Sequence, residues 1–137
     1  MRLMNTEALI VCACDDETLL SAADNRLLPV VREAGLSDDF LSASLKSGRY
    51  KSREIRLEGR TLYVLYFFVG DRTCYFVAGA SVSDEKRPDL LFPAFEIIAR
   101  QHNCDRIVMN TKRAGLVRLA VSRSFAARGV ALEKLLA

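Results

Sequence analysis

The segment Thr61–Val69 (TLYVLYFFV) is apolar at almost every position and therefore has no polar face to turn toward water. Such a strand lies in the interior of a sheet and not at its edge. Glu58–Gly59 before it and Gly70–Asp71 after it are dipeptides typical of tight turns between antiparallel strands. Residues 51–82 are therefore predicted to form an antiparallel meander of three strands, with 61–69 in the centre.

The residues before the meander predict a strand followed by helices. Glu7–Cys14 (EALIVCAC) is an apolar run short enough for a buried strand, and Asp15 or Asp16 can cap the helix that follows. The helical pattern extends over 18–34, but Pro29 lacks the N–H that a helix interior requires. We therefore predict two helices here, with Pro29 in the first turn of the second.

The remaining helices and strands follow from the same kinds of signal. They are a short helix over 37–48, a helix over 90–102 that Asp89 can cap, a strand at Arg106–Asn110, a helix at Arg113–Arg123 and a final strand. No repeat, low-complexity segment or linker interrupts the chain. Residues 1–137 are therefore expected to form one domain.

The composition limits the class of protein. The chain has 137 residues, half of them apolar, which is the usual size of one domain with one core. No apolar run approaches the roughly 20 residues that cross a bilayer, so we expect a soluble protein that stays in the cytoplasm. The four cysteines lie in or beside apolar segments and are expected to be reduced and buried: Cys12, Cys14, Cys74 and Cys104.

The last third of the chain carries a more specific signal. Its segment Leu116–Val130 (LVRLAVSRSFAARGV) resembles the GNAT family of acetyltransferases, with Leu119 and Phe125 at the family's leucine and core-plugging phenylalanine. The resemblance implies an α/β (α+β) fold with a mixed, mostly antiparallel sheet flanked by helices. Strands 73–82 and 106–110 would form a parallel, splayed pair. The chain is also similar to the shortened acetyltransferase-like proteins of tailed phages, which implies a place in the virion if a phage encodes it.

The resemblance also implies a site for acetyl-CoA. Backbone groups at 80–82 would bind the pantetheine arm, two cations would meet the diphosphate, and one further residue would lie beside the arm: Ala80, Ser81 and Val82, Lys86 and Arg87, and Arg113. A diphosphate loop needs glycines whose N–H groups can curl around the ligand. No glycine lies between Gly79 and Gly115, so the chain departs from the family here.

The composition of this loop opposes an anionic ligand. Asp84, Glu85 and Asp89 stand among its cations and make the local field mixed. Pro88 and Pro93 each lack an N–H donor. We therefore predict that no cofactor is bound, with acetyl-CoA as the cofactor if the protein is active.

Catalytic groups are equally hard to identify. The family's usual acid, a tyrosine in the helix after the parallel strand, falls on Ala120, and its glycine before the phenylalanine falls on Ser124. Tyr75 is a candidate proton donor and Glu54 a candidate base, although a packing tyrosine and a solvent-facing glutamate are the simpler interpretations. The meander holds two further tyrosines, Tyr63 and Tyr66.

Metal and thiol chemistry are weaker alternatives. Cys12 and Cys14 would point to one face of a strand, and His102 with Cys104 could complete a zinc site. Structural zinc sites usually have paired CxxC knuckles in loops, so we predict no metal. A cysteine nucleophile with His102 as its base is a further alternative that the spacing does not favour.

Charge is distributed unevenly along the chain. Positions 1–50 hold five basic and eight acidic residues, and positions 100–137 hold eight basic and two acidic residues. Arg113, Arg118 and Arg123 are five residues apart and would spread around a helix, and no aromatic residue interleaves them for base stacking. Lys112 adds a fourth cation. A protein partner or a second copy is therefore favoured over nucleic acid, and no membrane is expected.

The hypothesis from the sequence is a GNAT-like fold with an altered acetyl-CoA site and a binding or structural role. The first alternative is an active acetyl-CoA-dependent N-acetyltransferase that modifies an amine. The second alternative is a nucleic-acid-binding module that uses the basic last third of the chain.

Overall fold

The computed structural model describes residues 9–110, 118, 121–122, 125–128 and 131–136. In chain order the elements are β1 (Leu9–Ala13), α1 (Glu17–Glu33), α2 (Phe40–Lys46), β2 (Lys51–Leu57), β3 (Arg60–Gly70), β4 (Thr73–Ser81), α3 (Leu91–Gln101), β5 (Arg106–Asn110), β6 (Ala126–Arg128) and β7 (Ala131–Leu135). A 3₁₀ turn, Pro88–Leu90, leads into α3.

The strands form a mixed sheet in the order β1-β2-β3-β4-β5-β7-β6. β1 pairs antiparallel with β2, whereas β4 pairs in parallel with β5, from Thr73 opposite Arg106 to Phe76 opposite Met109. β5 and β6 each pair antiparallel with β7. The predicted mixed sheet, its parallel pair and the meander at β2–β4 are therefore confirmed.

The second turn of the meander lies one residue later than predicted. The residues with positive φ are Asp71 (51°) and Arg72 (59°), and Gly70 still belongs to β3. Phe68 stacks on Tyr75, with ring centroids 4.6 Å apart and planes inclined by 11°. This stack requires the later turn, because a turn at Gly70–Asp71 would shift the register and separate the two rings.

The break predicted at Pro29 does not occur, and α1 is continuous from Glu17 to Glu33. Its buried side chains, Ala23, Leu27 and Val31, are four residues apart and form one face. Pro29 lies on the exposed side, so the carbonyl of Asn25, which loses its N–H partner, can bond to water. The predicted cap is confirmed, because the Asp16 carboxylate accepts the N–H groups of Thr18 and Leu19 at 2.9 and 3.3 Å.

The helix predicted over 90–102 is present as α3, but Asp89 does not cap it. The residue that precedes the helix is Leu90, which makes no side-chain cap hydrogen bond. Both carboxylate oxygens of Asp89 instead accept hydrogen bonds from Arg87, at 3.2 and 3.0 Å. The bidentate guanidinium contact therefore competes successfully with helix capping.

Phe125 is buried, with 3% of its surface exposed, and its ring packs edge-on against Phe92 at a centroid distance of 5.5 Å. The chain then forms a hairpin of two strands, where one final strand is predicted. Arg128 pairs with Ala131, and the intervening Gly129 is a turn signal that the sequence analysis did not use. Most of the predicted helix 113–123 lies outside the described residues. Within that range the structure describes Arg118, Val121 and Ser122, and all three are helical.

The described residues pack as two compact units. The first contains the chain up to Tyr66 together with Ala78–Lys86, and the second contains Phe67–Val77 and the chain from Arg87 onward. In the first unit, α1 and the central strand meet through a polar contact, because the buried Tyr66 hydroxyl donates to Asp24 at 2.9 Å. No helix among the described residues is long and apolar enough to cross a bilayer.

Aromatic rings form the core of the second unit. Phe76 lies between Phe67 and Phe95, at centroid distances of 5.7 and 4.3 Å. Phe95 in turn contacts Phe92 edge-on at 5.5 Å. These rings attach α3 to the paired halves of β3 and β4, since each large ring removes substantial apolar area from water.

The continuity of α1 predicts the effect of replacing its proline. Pro29→Ala should raise the free energy of unfolding by about 1–2 kcal/mol, because it restores a helical hydrogen bond and removes a poor helix former. Urea denaturation measures the change. Asn25→Ala is the matched control on the same exposed side, with an expected gain of about 0.5 kcal/mol or less. A neutral or destabilising Pro29→Ala would instead indicate a helix that starts at Pro29.

Candidate acetyl-CoA site

β4 contains one extra residue relative to β3. Phe67 faces Phe76 near the turn, and counting along both strands from this pair brings Leu62 opposite Ser81. The observed hydrogen bond at the far end of the strands does not fit this count, because the N–H of Val82, and not that of Ser81, donates to the carbonyl of Leu62 at 3.0 Å. The mismatch of one residue is a β-bulge in the second half of β4.

Gly79 lies in the bulged part of the strand, where a side chain would be crowded. A Cβ atom at this position would lie 2.8 Å from Cδ2 of Leu65, a side chain that is only 2% exposed. Because Leu65 is buried, it has little room to move away. Glycine therefore permits the close approach of the two strands at this point.

The bulge determines which peptide groups of β4 face away from β3. Successive residues of a strand direct their peptide groups to opposite sides. Since the N–H of Val82 points to β3, the peptide groups of Ser81 point the other way. β4 pairs with β5 only through Thr73–Phe76 and continues for five residues beyond that segment. Among the described residues, the pairing of β4 with β5 thus ends five residues before β4 does.

The three backbone positions predicted to hold pantetheine differ in availability. Ala80 is buried, with 5% of its surface exposed. The Val82 N–H is engaged by β3, which leaves Ser81 as the position whose peptide groups face away from that strand. The Ser81 hydroxyl donates to the carbonyl of Ser83 at 2.8 Å and accepts from Lys86 Nζ at 3.0 Å.

The loop after β4 is held by contacts among its own residues and with the adjoining strands. The Glu85 N–H donates to the Ser83 hydroxyl at 3.1 Å, and the Glu85 carboxylate pairs with Arg60 on β3. Lys86, predicted to meet a diphosphate, already contacts Ser81. Arg87, the second predicted cation, binds Asp89 through two nitrogen atoms. Arg113 lies outside the described residues.

The two candidate catalytic side chains are both half-buried and both have structural contacts. Glu54 on β2 accepts a hydrogen bond from the Thr61 hydroxyl at 2.8 Å and lies opposite Cys12 of β1. Tyr75 stacks flat on Phe68. Glu54 belongs to the first unit and Tyr75 to the second. The stack matches the interpretation of Tyr75 as a packing residue. Glu54 is half-buried and hydrogen-bonded, and not the solvent-facing residue that was expected. Both catalytic roles stay predictions.

Tyr66 makes the polar contact that the sequence analysis missed. Burial raises the pKa of its hydroxyl, and the charge and hydrogen bond of Asp24 raise it further. Tyr66 therefore remains protonated and holds α1 against β3. A signal was available, because Asp24 lies between the apolar residues Ala23 and Leu27 on the inner side of the helical pattern.

The thiols and the histidine give little support to metal or nucleophile chemistry. The described residues contain no group of three or more His, Cys, Asp or Glu side chains that could hold a metal ion. Cys14 is buried, and burial raises its pKa to about 11, so it is a poor nucleophile near neutral pH. The His102 ring packs edge-on against Phe67 at 5.4 Å.

Comparisons with known proteins find this architecture in acetyltransferases. Ribosomal-protein-S18-alanine N-acetyltransferase from Escherichia coli matches with a TM-score of 0.65 and 15% identity, over 93% of this chain and 92% of its own. A protein from Desulfovibrio desulfuricans that is assigned to the GNAT family matches with a TM-score of 0.69 and 11% identity, over 95% and 100%. This chain has the GNAT fold.

An aminoglycoside acetyltransferase in complex with coenzyme A and kanamycin is also similar, with a TM-score of 0.66 and 11% identity over 93% of this chain and 94% of its own. No family model matches the sequence, and no curated protein matches it. At these identities the similarity is one of fold. The family's positions at Leu119, Ala120 and Ser124 lie outside the described residues.

Burial of Cys14 predicts how stability depends on pH. Below pH 9 its thiol is neutral in both the folded and the unfolded state, and between pH 9 and 11 the unfolded thiol ionises first. Stability should therefore fall as pH rises through this window. Tyr66 and Cys104, whose pKa values burial also raises, add to the fall. The urea midpoint should fall less between pH 8 and pH 11 for Cys14→Ala than for the matched thiol variant Cys12→Ala. An equal fall in both variants would contradict the assignment of this pH dependence to Cys14.

Proposed function

We propose that this chain is a GNAT-fold binding protein whose acetyl-CoA site is altered and no longer serves acetyl transfer. The observation that carries the proposal concerns the loop after β4, in which each cation expected at the diphosphate already contacts a side chain of the loop or of the adjoining end of β4. Lys86 contacts Ser81, and Arg87 is bound by Asp89. The residues present fit a diphosphate poorly.

The carboxylates of the loop lower its affinity for a diphosphate more than the present contacts of its cations do. Ion pairs that are partly exposed, such as Arg87–Asp89 with side chains 35% and 47% exposed, are weak and can exchange partners. The carboxylates of Glu85 and Asp89 nevertheless stay in the loop when a ligand arrives. They repel the phosphate oxygens and offset the attraction of Lys86 and Arg87.

The second half of β4 supports binding of a different kind. Its peptide groups at Ser81 face away from β3, and main-chain hydrogen bonds of this type recognise an extended chain of almost any sequence. A partner protein or a second copy of this chain fits such a strand without any need for a diphosphate site. Exposed basic residues such as Arg118 add attraction for an acidic partner. Association with a phage virion is one setting for this role.

Neutralising the loop acids tests the proposal. The double variant Glu85→Gln, Asp89→Asn should gain affinity for CoA by about tenfold or more, which brings binding that is undetectable at millimolar ligand in the unmodified protein into the measurable range, because two like charges are removed from the diphosphate position. The matched control is Asp84→Asn, an exposed acid of the same loop, which should change the affinity much less. Isothermal titration with CoA and with S-acetylpantetheine, which lacks the diphosphate, gives the comparison.

The contrast between the two ligands identifies the responsible group. A gain for CoA without a gain for S-acetylpantetheine supports a loop that its own carboxylates have disabled. An equal gain for both ligands, or none for CoA, contradicts the proposal.

An active acetyl-CoA-dependent N-acetyltransferase is the second candidate. The bulge in β4 and the segment that continues past the parallel pair favour it, as does the similarity to solved acetyltransferases. In that case Lys86→Ala, Arg87→Ala should weaken acetyl-CoA binding by about tenfold or more, because two attractive charges are lost. Lys46→Ala, an exposed cation on α2, is the matched control. Unchanged binding in the double variant would remove this candidate.

A further inference from the structure

β1 is an edge strand that lacks the usual protection of an edge. Among the described residues, β2 is the only strand that pairs with β1, which stands at one end of the strand order. Its sequence, LIVCA, contains no charge, proline or glycine. Natural sheets usually protect an edge with charges, prolines, bulges or a very short strand. β6, at the other end of the order, follows this rule, because it has three residues and ends at Arg128.

The hydrogen bonds to β2 determine which peptide groups of β1 point toward the edge. Cys14, which follows β1 directly, donates its N–H to the carbonyl of Ser52 at 3.4 Å. Peptide groups alternate in direction along a strand, so the even-numbered residues of β1 face β2 as well. The odd-numbered residues therefore direct their N–H and C=O groups away from β2: Leu9, Val11 and Ala13.

β1 also exposes apolar side-chain surface beside these peptide groups. Ile10 is 51% exposed, although it is one of the large apolar residues of the chain. Cys12, two positions further on, is half-buried and lies on the same face of the sheet. An uncharged strand that presents outward peptide groups and apolar side chains together matches another strand of the same kind.

We propose that β1 pairs antiparallel with β1 of a second copy of this chain, around a twofold axis at Val11. The strand is complementary to itself in this register, in which Val11 faces Val11, Ile10 faces Cys12 and Leu9 faces Ala13 of the second copy. The contact is closed, because both copies use the same surface. It is independent of the proposed function, which concerns the loop after β4 and the second half of that strand.

The direction of the peptide groups favours this register over its neighbours. With the axis at Val11, every outward-pointing residue of β1 opposes another outward-pointing residue, and each such pair exchanges two hydrogen bonds. With the axis at Cys12, Leu9 would instead oppose Asp15, which lies beyond the end of the strand and is exposed. The axis at Val11 therefore pairs the whole of β1 and keeps carboxylates out of the contact.

The mass of the full chain in solution is the first test. Sedimentation velocity over a concentration series from about 1 µM to 1 mM should show a reversible change from one chain to two, with a limiting mass twice the 15.3 kDa of the single chain. A single chain at every concentration would overturn the proposal, as would assembly that continues beyond two copies.

Val11→Pro separates this dimer from any other. Proline removes the central N–H of the contact, and the ladder with β2 is spared because that N–H points away from it. The dissociation constant of the dimer should rise by about tenfold or more. Val11→Thr is the matched control, since it keeps the N–H and nearly the same shape, and should change the constant by less than about threefold. A dimer that Val11→Pro leaves intact would have to use another surface and would overturn the proposal.

A disulfide between copies tests the register even if the proline variant fails to fold. Ile10→Cys places a thiol opposite Cys12 of the second copy, in a pair whose Cα atoms are about 4.5 Å apart, which is within the range of a disulfide. Mild oxidation should therefore convert most of this variant into a covalent dimer on a non-reducing gel. Leu9→Cys is the matched control, because its side chain lies on the other face and opposite Ala13. Absence of the covalent dimer in Ile10→Cys, or equal amounts in both variants, would overturn the proposal.

Discussion

The register of β3 against β4 is the constraint on which the rest of the structure depends. It is fixed at one end by the turn at Asp71–Arg72 and the stack of Phe68 on Tyr75. At the other end the Val82–Leu62 hydrogen bond shows that β4 has gained one residue. A shift of one residue in a strand exchanges its two faces, so this register decides which rings enter the aromatic core and which peptide groups of β4 face outward.

The fold and the chemistry of its loop have separate physical origins. Apolar strands, the aromatic rings around Phe76 and the parallel pairing of β4 with β5 produce the GNAT architecture. Affinity for a diphosphate depends instead on a few donors in the loop after β4, where Glu85 and Asp89 engage Arg60 and Arg87. A chain can therefore keep the first while losing the second, since function is carried by local sites on a fold.

Local patterns predicted the elements, and contacts distant in sequence decided their details. The meander was predictable because 61–69 is apolar on both faces and turn residues flank it. Gly70–Asp71 is the stronger local turn signal, but the turn lies at Asp71–Arg72, where it places Phe68 against Tyr75. Likewise, α1 passes through Pro29 because burial of its inner face outweighs one lost hydrogen bond on the side that meets water.

The candidate site was predictable in part. The mixture of charge in 83–89 follows from the sequence, but the partners that each cation selects depend on side-chain geometry. The bulge has no local signal beyond Gly79. The family's positions at Ala120 and Ser124 rest on the sequence resemblance, because they lie outside the described residues.

Isothermal titration of the unmodified protein with acetyl-CoA and CoA tests the central claim most directly. If the carboxylates of Glu85 and Asp89 disable the diphosphate loop, neither ligand should give measurable heat of binding at millimolar concentration. Binding at micromolar concentration would contradict the account, because it would require that Lys86 and Arg87 leave their present partners and meet the diphosphate at little cost.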